Sequence, residues 1–131
     1  MPAAVCPFTV VARPAQPDPD AGDDPVLALT VFDKVFTGPL TGSSVVRMVS
    51  AGAAGAPLAY VALERVEGSL EGRRGAFVLQ HVGTITANGP TLELEVVAGS
   101  GTGELAWLSG RGTIVHTAEG ARLELDYALP G

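Results

Sequence analysis

Two acid–base side chains stand among apolar neighbours. Glu64 lies within Tyr60-Val61-Ala62-Leu63-Glu64-Arg65-Val66. Strand residues two and four apart share a face, so Glu64 shares one with Tyr60, Ala62 and Val66. In an apolar interior, burial would raise the carboxyl pKa and suit it to proton transfer. The plainer reading is a structural carboxylate paired with a group such as Arg47. His81 shares its face with Phe77, Leu79 and Gly83. Its imidazole could serve as acid, base or donor, or as a core histidine bonded to a carboxylate. A short connection separates the two segments, so Glu64 and His81 can meet in space. They are the catalytic candidates.

Four further side chains, and Tyr60, are candidates for holding a substrate. Tyr60 would fix a polar end. Arg47 alternates with Val45 and Val49; pointing inward it would grip a carboxylate or enolate oxygen, and pointing outward it is an ordinary solvated arginine. Phe77, Trp107 and Tyr127 are the aromatic candidates, with core filling at a barrel end the plainer role for Trp107. A one-residue slip would turn Val61, Leu63 and Arg65 inward instead and bring Arg65 into the site.

Other chemistries lack their signatures. The run Gly99-Ser100-Gly101-Thr102-Gly103 has no Gly-Lys-Ser/Thr ending and no βαβ surroundings, so it reads as a tight turn with positive φ rather than a phosphate loop. No Gly-x-Ser-x-Gly elbow is present. His81, His116 and the scattered carboxylates show no metal-ligand spacing, so neither metal nor cofactor is expected. His116 reads as exposed near a strand end.

Positioning these residues falls to strands. Gly (17) and Pro (10) punctuate short runs rich in Val, Leu and Thr. Eight strands are predicted: 8–13, 26–36, 44–51, 58–66 with a continuation toward 70, 76–86, 92–98, 111–117 and 121–129. Pro14 to Asp24 reads as an exposed loop, and Gly52 to Ala56 and Gly72 to Gly75 as turns. Asn88-Gly89 is a hairpin signal. Leu92, Leu94 and Val96 alternate with Glu93 and Glu95, as Leu123, Leu125 and Tyr127 do with Arg122, Glu124 and Asp126. Such strands bury one side and wet the other. One short helix, Thr102 to Leu108 with Thr102 as N-cap, is the helical candidate. The expected fold is all-β: a single eight-stranded antiparallel barrel over residues 1–131, which leaves no sheet edge, with a two-sheet sandwich as the rival.

The composition restricts partners. With 131 residues the chain is one domain able to bury a proper core. Eight basic residues face fourteen acidic ones, a net charge of −6, and only Lys34 is a lysine. There is no basic stripe for nucleic acid or for anionic membranes. The single cysteine, Cys6, suits a reducing cytoplasm. No apolar run is long enough for a membrane helix, and the first residues do not read as a signal peptide. The Gly, Ala, Val and Arg bias suggests a bacterium.

Three stretches carry a family resemblance: Tyr60 to Arg73, Gly75 to Gly83, and Gly99 to Gly110, with Val35-Phe36-Thr37-Gly38-Pro39-Leu40-Thr41-Gly42 upstream. Over about Val31 to Leu129 the chain resembles the bacterial DUF3224 family, which has no established general function. That family is similar to allene-oxide-cyclase-like barrels and dirigent proteins, and the element from Gly99 to Ile114 resembles one seen in them. The resemblance implies a barrel that binds an apolar small molecule, and a cyclase role of the kind some bacterial spirotetronate cyclases perform in natural-product biosynthesis.

Two functions follow as expectations. One is a cofactor-free isomerase or cyclase acting on an apolar, polyketide- or lipid-like substrate by holding one reactive conformer, with Glu64 and His81 assisting. The other is non-catalytic: a ligand carrier, or a scaffold with a solid core. Homo-oligomerisation fits a barrel this small, with subunit number left open.

Overall fold

The computed structural model describes residues 3–14, 16–17, 27–53 and 56–130. Eight long strands form its frame: β1 (Ala3–Ala12), β3 (Leu27–Phe36), β4 (Leu40–Ala53), β5 (Ala56–Leu70), β6 (Arg73–Thr86), β7 (Gly89–Val96), β8 (Ser109–Thr117) and β9 (Gly120–Ala128). A two-residue β2 (Gln16–Pro17) pairs with β3. Each long strand runs antiparallel to its neighbours, and β1 pairs with both β9 and β3. The sheet is therefore a closed eight-stranded barrel. Closure satisfies the edge groups that an open sheet would leave unpaired.

The ring closes through a divided strand. Residues Ala3 to Phe8 pair with β9, and Phe8 to Ala12 pair with β3. The sequence reading starts this strand at Phe8, whereas the strand begins at Ala3. In fact Ala4, Cys6 and Phe8 alternate inward, and the carbonyl of Pro7 accepts the Thr37 N–H. The β5–β6 turn also lies earlier than expected, at Glu71-Gly72, where both residues have positive φ. Of the expected 14–24 loop, Ala15 and residues 18–24 lie outside the described residues, as do Val26 and the turn residues Ala54 and Gly55.

The two ends of the barrel differ. At one end lie the β3–β4 and β5–β6 turns and the connection from β7 to β8. Phe36, Leu40, Val66, Leu70, Phe77, Leu79, Leu105, Leu108, Leu123 and Leu125 fill this half and are almost fully buried. The β7–β8 connection seals it by running along β6: Val97 N–H donates to Val78 O, and Ala76 N–H donates to Thr102 Oγ1. Gly101 and Gly75 permit this close approach. A Cβ at Gly101 would lie 1.9 Å from Leu105 O, and one at Gly75 2.0 Å from Thr102 O. The predicted two-turn helix shrinks to a single 3-10 turn, Gly103–Leu105, and Thr102 makes no side-chain cap because its hydroxyl is committed to β6. The positive φ of Trp107 ends any helix there.

The other end stays open, at the β6–β7 and β8–β9 turns. Among the described residues, no helix is long and apolar enough to cross a membrane. Outside the wall, Leu29, Val49, Val61 and Val82 form one exposed row across β3, β4, β5 and β6.

Candidate functional site

The alternation of each strand decides which side chains reach the interior. On β5 the inward set is Tyr60, Ala62, Glu64 and Val66; on β6 it includes Leu79 and His81; on β4, Ser44, Val46 and Met48; on β3, Phe32, Lys34 and Phe36. Register then brings the polar members together. Lys34 is opposite Ser44, Val46 opposite Glu64, and Ala62 opposite His81. Four adjacent strands thus each contribute one polar side chain at the same depth.

Glu64 is the hub of that layer. Its Oε1 accepts from Lys34 Nζ at 3.2 Å and lies 2.8 Å from His81 Nε2, while Oε2 accepts from Ser44 Oγ at 2.5 Å. All four residues are buried, Glu64 to 1 % exposure. The ammonium of Lys34 also sits 4.3 Å from the centre of the Phe8 ring, a cation–π contact. No buried side-chain nitrogen or oxygen among the described residues lacks a partner.

The direction of the Glu64 pKa reverses the sequence expectation. Burial pushes the carboxyl up, but the hydrogen bond from His81, the charge of Lys34 and the hydrogen bond from Ser44 outweigh it and hold the group below its usual value. Glu64 is an ionised acceptor rather than a proton-donating acid. It follows that His81 Nε2 carries a proton and donates it to Oε1. Nδ1 makes no hydrogen bond to the described residues, and His81 is one of the residues lining the cavity above the layer.

Above this layer lies a cavity of about 190 Å³, reached from the open end. Phe8, Val10, Phe32, Val46, Met48, Ala62 and Ile114 give it apolar walls; Lys34 and His81 form its polar floor, and Tyr60 and His116 flank it. Glu64 sits behind Lys34 and His81 and does not line it. Tyr60 owes its place to Gly83, the residue opposite: a Cβ there would lie 2.2 Å from Cζ of the ring. Burial raises the Tyr60 hydroxyl pKa.

The remaining sequence candidates are elsewhere. Arg47 points outward, because Val46 and Met48 take the inward positions of β4; it lines surface hollows with Val49 and Leu63. The partner expected of it is Lys34. Arg65 is also outside, paired with Glu67. Phe77 is buried in the filled half, beneath the site. Tyr127 is buried there too, with its hydroxyl donating to Glu71. Trp107 neither fills the core nor meets the cavity: it is 72 % exposed beside the closed end, where Leu105 and Leu108 do the packing. Sequence reasoning missed Lys34 and Ser44. The signal for Lys34 was present, since the chain's single lysine alternates with Phe32 and Phe36 on an otherwise apolar face.

Fold and site together define a single-mouthed antiparallel barrel with a buried ion-pair network as the floor of a small cavity. The chain belongs to the DUF3224 family, described as proteins of unknown function, whose family model matches residues 4–128. It is similar to the 1.84 Å crystal structure of a protein with unknown function from the DUF3224 family from Shewanella oneidensis MR-1, with a TM-score of 0.87 and 34% identity over 100% of this chain and 98% of that one. No curated protein matches the chain.

Proposed function

We propose that this barrel is a cofactor-free isomerase or cyclase for apolar small molecules, with His81 as the proton-carrying residue. The observation that carries this reading is the setting of the imidazole: His81 lines the cavity and its Nε2 is tied to Glu64 at 2.8 Å, which leaves Nδ1 for the chemistry. Glu64 fixes the tautomer and stabilises the imidazolium that forms when Nδ1 takes a proton. Nδ1 removes a proton from a substrate carbon, the C–H electron pair moves into the adjoining π system, and the imidazolium returns the proton to a different carbon. Substrate and product are isomers, and nothing else is consumed. Phe8, Phe32 and Met48 hold the apolar body in one conformer and keep water away. Glu64 is here a positioning residue.

The cavity is smaller than the about 300–1,000 Å³ typical of drug-sized ligand sites. A polyketide- or lipid-like substrate therefore inserts one end and leaves the rest at the mouth. The unpaired Cys6 supports a cytoplasmic location. A carrier role is the second reading, favoured by the completeness of the Glu64 network, which needs no reaction to explain it.

The test is comparative metabolite profiling of the host, a deletion strain and complemented strains. Wild-type complementation restores a compound at the expense of an isomer of equal mass, whereas His81→Gln does not. Should no metabolite respond while the protein is expressed, the isomerase reading falls and the carrier reading replaces it.

A further inference from the structure

The polar floor of the cavity also selects what can bind, an inference that rests on reading the cavity as a binding site: we infer that it takes uncharged carbonyl compounds and discriminates against carboxylates. The floor is already charge-balanced. Lys34 and Glu64 lie 3.2 Å apart and neutralise one another, with both side chains almost out of contact with water. Among the described residues no arginine and no second lysine lines the cavity, whose other titratable groups are Tyr60, His81 and His116; Arg47, on the neighbouring strand, is on the outside of the wall. Lys34 nonetheless has donor capacity left, since an ammonium carries three N–H groups and one is committed to Glu64.

A ligand oxygen accepting one of those protons sits within roughly 6 Å of Glu64 Oε1, the sum of two hydrogen-bond lengths. If that oxygen belongs to a carboxylate, the site holds two anions to one cation in a poorly hydrated space. Like charges so placed repel strongly, and removing the ligand from water adds to the penalty. A ketone, aldehyde or ester oxygen accepts the same hydrogen bond without adding charge. The apolar walls favour both ligands equally, so the Glu64 charge makes the difference. This is selectivity by repulsion rather than by an extra contact.

The matched probes are 2-heptanone and sodium heptanoate at pH 7. They share a seven-carbon skeleton and differ in the charge of the oxygen-bearing end. Met48 lines the cavity and is one of only two methionines, so its 13C-labelled methyl signal reports occupancy. Wild-type protein is expected to bind the ketone about tenfold or more tightly than the carboxylate. In Glu64→Gln, which removes the competing anion and leaves Lys34 unpaired, heptanoate is expected to gain and the preference to shrink or invert. Equal or tighter binding of heptanoate to the wild type overturns the inference while leaving a functioning ligand site. Failure of both probes to move Met48 removes the binding-site reading itself, and the inference with it. The wild-type comparison decides the matter even if Glu64→Gln does not fold.

Discussion

Lys34 and Glu64, thirty residues apart, meet inside the barrel with Nζ 3.2 Å from Oε1. Neither makes sense there without the other. A buried ion pair gives little net stability relative to an apolar pair, but losing one partner strands the other.

Lys34→Met should therefore cost about 3–5 kcal/mol, because Glu64 keeps its burial and loses its countercharge. Adding Glu64→Gln should recover most of that loss. Urea unfolding of the two single variants and the double variant measures the coupling. Additive losses would show that the pair is not coupled.

Acid should weaken the fold through the same carboxylate. The folded pKa of Glu64 lies below the usual carboxyl value of 4.5, so the unfolded chain binds more protons between those two values. The stabilisation is present above pH 4.5 and is lost as the pH falls through the folded pKa. Thermal melts from pH 7 to pH 3 should show a steeper acid decline for wild type than for Glu64→Gln. Parallel declines would contradict the assignment.

Gly83 is expected to be irreplaceable for a packing reason. Its φ is not in the left-handed region, yet a Cβ would meet the hydroxyl end of the Tyr60 ring at 2.2–2.5 Å, so the ring would have to swing aside. Gly83→Ala should cost about 1–3 kcal/mol as overpacking. Combining it with Tyr60→Ala should remove the penalty, as read by chemical denaturation. A full penalty in the Tyr60→Ala background would place the strain elsewhere.

Cys6 should be inert in the native barrel. Burial raises its thiol pKa to about 11, against a small lowering by the backbone hydrogen bond at Leu40. At pH 8 only about one thiol in a thousand is then a thiolate, the reactive form. Ellman's reagent should label the native protein far more slowly than protein in 6 M guanidinium. Equal rates would mean that the β1 seam opens freely.

Much of this architecture is legible in residue order. Alternation in Leu92 to Val96 and Leu123 to Tyr127 marks one buried face per strand, and Asn88-Gly89 marks a hairpin; both are local properties. The meeting of Glu64 with His81 follows from a single hairpin and its parity. What escapes the sequence depends on register among more distant strands. Whether Lys34 or Arg47 reaches Glu64 is decided by which parity of β3 and β4 faces inward. The downward pKa shift depends on three donors converging from β3, β4 and β6, outweighing a burial that the sequence could suggest. Trp107 fails for a different reason: the helical look of Thr102 to Leu108 is overridden by hydrogen bonds from Thr102 to β6 and by positive φ at Gly103 and Trp107.

The divided pairing of β1 has a consequence for the order in which the protein is made. Synthesis runs from the N-terminus at about 5–20 residues per second, and β1 emerges first. Its partner β3 follows early, but the register that joins Ala3 to Asp126 and Cys6 to Leu123 must await the last strand. Until then the apolar edge at Ala4 and Cys6 has no neighbour to cover it. The hairpins from β3 to β7 are contiguous and can assemble as they appear, whereas closing the ring spans nearly the whole chain. Non-local pairings of this kind are slow to form. The ring can therefore close only once β9 has emerged and met β1, and before that the strands can form no more than an open sheet.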